Sequence, residues 1–103
     1  DRDSRVRANA GKALYKYNKE RGMVVLTEMC KSDDQWMRLS GAWAMGEIGS
    51  QSAAEILLSL LQDSWEFVRE RAAKSLEKIL TQKKEEIEKT LLEAIKSALD
   101  KKK

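Results

Sequence analysis

Two sets of side chains carry what chemistry this chain can do. The first is arginine placed directly after an apolar residue, at Val6-Arg7, Met37-Arg38 and Val68-Arg69, with equal spacing from each arginine to the next. The planar guanidinium can bridge two acceptors at once, which suits capture of a carboxylate or phosphate. The second set is aromatic. Trp36, Leu39 or Ser40, and Trp43 stand at i, i+3/i+4, i+7, so they form one helical stripe, and Phe67 occupies the Trp36 position one period later. The same shift aligns Arg5 with Trp36 and Phe67, and Lys12 and Lys74 with Trp43. Two lysines at the Trp43 position argue that the position meets solvent. An exposed patch of this size would be a docking surface, and Trp is a preferred anchor in such surfaces. The alternative is that the central helix is simply buried more deeply than its neighbours, which would make both tryptophans core. Basic residues Arg5, Lys12, Lys16, Arg71, Lys74 and Lys78 flank the aromatics, as in single-strand nucleic-acid binders. Glu47, Glu66 and Glu70 oppose that reading.

Catalytic classes find little support. There is no histidine, so neither a histidine base nor a histidine metal site can be built. The single cysteine, Cys30, can form no internal disulfide or multi-cysteine zinc site. It aligns with Leu61 and Leu92 and reads as an inert core thiol. Neither a metal ligand set nor a cofactor motif is present. No apolar run approaches the roughly 18 residues of a membrane span, and no signal peptide opens the chain, so the setting reads as cytoplasmic. The first residue is Asp1, not Met, which reads as an excised or processed chain. The net charge of +3 comes from a terminal lysine run, Lys101 to Lys103; the rest is balanced. Zero prolines and five glycines in 103 residues argue for one domain of helices joined by short turns.

The elements that position these residues follow from an internal repeat. The segments beginning at Arg5, Trp36 and Phe67 align without gaps at one constant offset. Small residues recur at 10/41/72, 11/42/73 and 13/44/75, and Tyr17, Ile48 and Ile79 close each copy as core. A second series runs between them: Val25, Leu26, Met29 and Cys30 match Ile56, Leu57, Leu60 and Leu61, and more weakly Ile87, Leu91 and Leu92. Both series have helical spacing. The reading is all-α, about six helices near 3–17, 20–31, 34–48, 52–62, 65–80 and 83–100. Asp3, Asp34 and Ser64 are expected N-caps, Gly49 a helix stop, and Ser50 or Ser52 the next cap. Trp65 is expected to plug the space between repeats, and Tyr15 to be partly exposed. Short connections make neighbouring helices antiparallel, and pairs stacked at a fixed period form an α-solenoid.

The pattern Asp-x-x-Val-Arg-x-x-Ala-Ala-x-x-Leu followed by Gly-Glu-Ile-Gly resembles HEAT repeats, in particular the short class of bilin-lyase-type proteins and artificial consensus scaffolds. Residues 34–80 carry it best, through Gly46-Glu47-Ile48-Gly49 and Phe67-Val68-Arg69-Glu70-Arg71-Ala72-Ala73. The first copy departs from it, with Tyr15-Lys16-Tyr17. The resemblance implies a right-handed solenoid in a single domain 1–103: a half repeat 1–17, repeats 20–48 and 52–80, and a capping helix 83–100 that covers the last repeat. It implies that Arg7, Arg38 and Arg69 form a structural ladder with Asp3, Asp34, Asp63 and backbone carbonyls. It also implies that second helices line a concave face bearing Trp36, Leu39, Trp43, Phe67, Arg5, Lys12, Arg71 and Lys74. By this register the helix 3–17 lacks its partner first helix, so its edge should be bare; the expectation is that the natural protein is longer, or that the chain self-associates through this helix or the aromatic patch.

The functional expectation is a non-enzymatic scaffold that binds another protein or a peptide segment. The family also suggests an alternative, a subunit handling tetrapyrroles, since an aromatic groove with cationic edges suits a propionate-bearing pigment. Nucleic-acid binding ranks third.

Overall fold

The computed structural model describes residues 2–101; the end of the lysine run, Lys102 and Lys103, lies outside them. Five helices make up the described residues: α1 (Arg2–Tyr17), α2 (Lys19–Cys30), α3 (Gln35–Ile48), α4 (Gln51–Leu60) and α5 (Glu66–Asp100). They pack in two layers. In one layer α3 lies between α1 and α5, and in the other α2 and α4 lie across them.

Local chemistry starts and stops each element. Asn18, which sequence reasoning missed, caps α2 by accepting from the Arg21 N–H. Asp34 caps α3 through the Trp36 N–H, and Ser50 caps α4 through Ala53. Gly49 closes α3 in the left-handed conformation, φ 68°, where a Cβ would be strained. Two expected caps differ. Asp3 lies inside α1, and Trp65 stands at the α5 cap position with no side-chain cap bond. Asp63, not Ser64, holds that turn by accepting from the Trp65 N–H at 2.9 Å.

The core is built for close approach. α3 has a neighbour on three sides, and its residues Ser40, Gly41, Ala42, Ala44, Met45 and Gly46 are buried. Gly41 backs onto Cys30 and Met29 of α2, and Gly46 onto Ser75 of α5. Buried hydroxyls join the layer: Ser4 and Ser40 share a hydrogen bond of 2.9 Å, and Ser75 donates to the Ala42 carbonyl at 2.9 Å. Leu26, Met45, Leu57 and Val68 are fully buried between the two layers.

Three expectations need correction. The helices 65–80 and 83–100 are one continuous helix, α5, of 35 residues. Leu80-Thr81-Gln82-Lys83 contains no Gly, Pro or other stop, and Thr81 even donates its hydroxyl to the Glu77 carbonyl one turn back. The distal half therefore covers nothing: every residue from 80 to 101 is exposed, including Ile87, Leu91, Leu92, Ile95 and Leu99. At 1.5 Å per residue such a helix runs about 52 Å, which sets the longest dimension of 61 Å. Third, Tyr17 is 92% exposed and not core. Ile48 and Ile79 at the matching positions are covered by neighbouring helices, whereas no helix of the described residues lies over Tyr17.

Candidate functional site

The arginine ladder is present in part, and its pairing follows the repeat. Arg38 donates Nε to Asp63 Oδ2 at 2.7 Å and Nη2 to Oδ1 at 3.2 Å, a two-pronged pair. Its Nη1 reaches the carbonyls of Ser32 and Asp33, both at 3.0 Å. Arg69 donates to the Asp63 carbonyl at 2.7 Å, which is the Arg38–Ser32 bond one period later. Arg7 is exposed and forms no such pair among the described residues. The acid that serves Arg38 lies in the next repeat junction, and the equivalent position for Arg7 is Ser32, which has no charge to offer. Asp34 caps α3 instead of joining the ladder, and Asp3 sits in the first turn of α1. Arg38 and Arg69 thus clamp turns and are spoken for.

The aromatic set splits into two environments. Trp36 and Phe67 are 41% and 54% exposed. Between them stands the half-buried Trp65, edge-on to Trp36 at 5.0 Å and to Phe67 at 5.3 Å between ring centroids. This geometry suits the ring quadrupoles and holds all three rings in place. Trp65 therefore does plug the repeat junction, yet it also supports the exposed pair. The register hid this role, because the position one period earlier is the cap Asp34. Trp43 is half-buried and packs on the core. Arg5 places its guanidinium 3.9 Å from the Trp43 ring centre and Lys12 its ammonium at 4.4 Å, so two cations of α1 roof the indole.

The remaining predicted residues lie beside these. Leu39, Phe67, Glu70, Arg71 and Lys74 line a shallow depression of about 150 Å³ between α3 and α5. Glu47 of α3 pairs with Lys12 of α1 at 3.5 Å and with Lys78 of α5, tying three helices across the face. Lys74 pairs with Glu70 at 3.0 Å. A wider hollow of about 720 Å³, lined in part by Tyr15, Met23, Val24 and Ile56, opens on the α2–α4 layer away from the aromatics. Nothing in the sequence patterning singled it out.

Two carboxyls are held below their ordinary range. The Lys78 hydrogen bond does this for Glu47, with Lys12 adding to it. Burial pushes Asp63 up, but the Arg38 pair and the Trp65 N–H outweigh it. Depressed carboxylates contribute stability above their unfolded values, about 3.9 for Asp and about 4.3 for Glu, and lose it as pH falls through the folded values. The melting temperature should therefore hold from neutral pH to about 5 and fall below about 4. Asp63→Asn should start lower and fall less steeply; a slope equal to that of the unaltered chain would refute the assignment. Cys30 is buried and its thiol is pushed up to about 12 by desolvation, so it stays protonated and unreactive.

Among the described residues no group of His, Cys, Asp and Glu is placed to hold a metal ion, and no helix is long and apolar enough to cross a membrane. A search of curated proteins finds no match. The family model described as HEAT repeats matches residues 1–77. That stretch takes in α1 to α4 and the first third of α5, with the arginine clamp and the whole aromatic face: the chain belongs to the HEAT-repeat family.

Proposed function

We propose that the chain is a non-enzymatic scaffold that binds a segment of another protein on the face formed by α1, α3 and α5, in a right-handed solenoid where that face is the concave one. HEAT repeats generally mediate protein–protein interaction. The observation that carries the proposal is the exposed Trp36–Phe67 pair, braced by Trp65 and bordered by the depression that holds Arg71. Large rigid rings offer contact area at small entropic cost when already held.

The ligand chemistry follows from which charges are engaged. Lys12, Lys74 and Lys78 are paired with glutamates, and Arg5 rests on Trp43. Arg71 is left half-buried beside Leu39 and Phe67. This favours a peptide with an apolar or aromatic anchor next to one acidic group. It disfavours a polyphosphate backbone, which would need many free cations. The cytoplasmic setting stays part of the proposal, since a lone reduced thiol is ordinary there.

The test is selection of binders from a random peptide library against the immobilised chain. Selected peptides should carry an apolar or aromatic residue beside Asp or Glu. The variant Trp36→Ala with Phe67→Ala should lose at least tenfold in affinity, about 1.4 kcal/mol, while its melting temperature changes little. Peptides that bind this variant unchanged would overturn the proposal.

A further inference from the structure

Two unpartnered faces of the molecule are complementary halves of one helix pair. The first is the distal half of α5. Its residues Ile87, Leu91 and Leu92 carry the positions of Ile56, Leu60 and Leu61 in α4 and its cap, and Leu91 and Leu92 carry those of Met29 and Cys30 in α2. Those earlier side chains are buried or half-buried; in α5 Ile87, Leu91, Leu92, Ile95 and Leu99 are 54–58% exposed. Up to Leu92 the distal half thus carries the apolar positions of a first helix with no second helix against it, and Ile95 and Leu99 extend the same exposed apolar run.

The second face is on α1. Val6, Ala10, Ala13 and Tyr17 are all exposed, while their counterparts Met37, Gly41, Ala44 and Ile48, and Val68, Ala72, Ser75 and Ile79, are buried or half-buried. Gly41 shows what is missing: it is covered by Met29 and Cys30, the residues whose positions Leu91 and Leu92 repeat. The two faces cannot meet within one copy. α1 and α5 do not touch, because α3 lies between them, and the distal half continues straight along α5.

We propose that the occupant of each face is a second copy of this chain: residues 83–100 of one copy dock on α1 of the next. Charge supports the pairing. α1 carries Arg2, Arg5, Arg7, Lys12 and Lys16 against Asp3, whereas the stretch 85–95 that bears Ile87, Leu91, Leu92 and Ile95 carries four acids against one lysine, with the lysine run lying beyond it. The contact joins different surfaces, so it is head-to-tail and generates open chains unless its rotation closes a ring. Apolar side chains spaced along a whole helix face would bury as they do in α2 and α4.

Sedimentation velocity on the full chain tests this. The unaltered chain should grow beyond a dimer as concentration rises. Leu91→Glu with Ile95→Glu breaks the donor face, and Ala10→Glu with Ala13→Glu breaks the receiving face; all four positions are exposed. Each double variant alone should be monomeric, and their mixture should form a one-to-one heterodimer, because each retains the face the other lacks. If circular dichroism shows lost helicity in either, Leu92→Gln and Val6→Gln read the same faces under the same pairing rule. The proposal is overturned if the unaltered chain stays monomeric throughout, if the mixture does not pair, or if the Ala10/Ala13 variant still associates alone. That last outcome would show two distal halves pairing with each other.

Discussion

Gly22→Ala should destabilise the fold by about 2–3 kcal/mol, although alanine is the better helix former by about 1 kcal/mol. A Cβ at residue 22 would run into the backbone N and Cα of Tyr15, as well as its Cβ. These atoms belong to the last turn of α1 and cannot rotate away, so α1 and α2 would have to separate. For a domain of this size about 1 kcal/mol moves the melting temperature by about 4–8 °C, so a fall of more than 10 °C is expected, on the order set by that conversion. Gly11→Ala is the built-in comparison. Its new Cβ would meet Leu26 Cδ2 at 2.6 Å and Cγ at 3.0 Å, atoms of a buried side chain that yields at some cost but without moving a backbone. Thermal melts of both variants should rank Gly22→Ala well below Gly11→Ala. Equal melting temperatures would mean that the α1–α2 contact is looser than described.

Arg38→Ala should be comparably damaging, about 2–4 kcal/mol. The side chain is only 15% exposed and its partner Asp63 only 7%, so water does little to replace the pair. Its removal strands a carboxylate and frees the carbonyls of Ser32 and Asp33, which the fork now satisfies. Lysine should rescue little, since a single ammonium cannot span acceptors on two turns. Arg7→Ala, at the matching but exposed position, should stay within about 0.5 kcal/mol of the unaltered chain. Urea unfolding of both variants reads the difference, and a double-mutant cycle with Asp63→Ala should show coupling above about 1 kcal/mol. Similar losses at residues 7 and 38 would refute the clamp.

The pattern of what was legible in the sequence has a physical basis. The repeat period located the small residues of α3 and the arginine positions, because both depend on neighbours inside the repeat. It named Arg38 and Asp63 as ladder members without pairing them; the pair links two successive repeat junctions and depends on how their turns stack. The period also implied a break before residue 83, and there it misled. A repeat pattern records which side chains are apolar, but a helix ends only where local residues end it, and Leu80 to Lys83 do not. Tyr17 failed for a related reason: an apolar position becomes core only when another element covers it. At the aromatic face the spacing grouped Trp36, Trp43 and Phe67, yet it could not show that Arg5 and Lys12 roof Trp43 while Trp36 stays open.

The tryptophans themselves report most directly on the central claim, that α3 and α5 present a binding surface centred on Trp36 and Phe67. The three indole N–H signals in a nitrogen–proton NMR spectrum can be assigned by single Trp→Phe substitutions. Titration with a library-selected peptide should shift Trp36 most and its ring neighbour Trp65 next, with Trp43 changing least beneath its two cations. Perturbations confined to Met23, Val24 and Ile56 on the opposite layer, with all three indoles unmoved, would contradict the account.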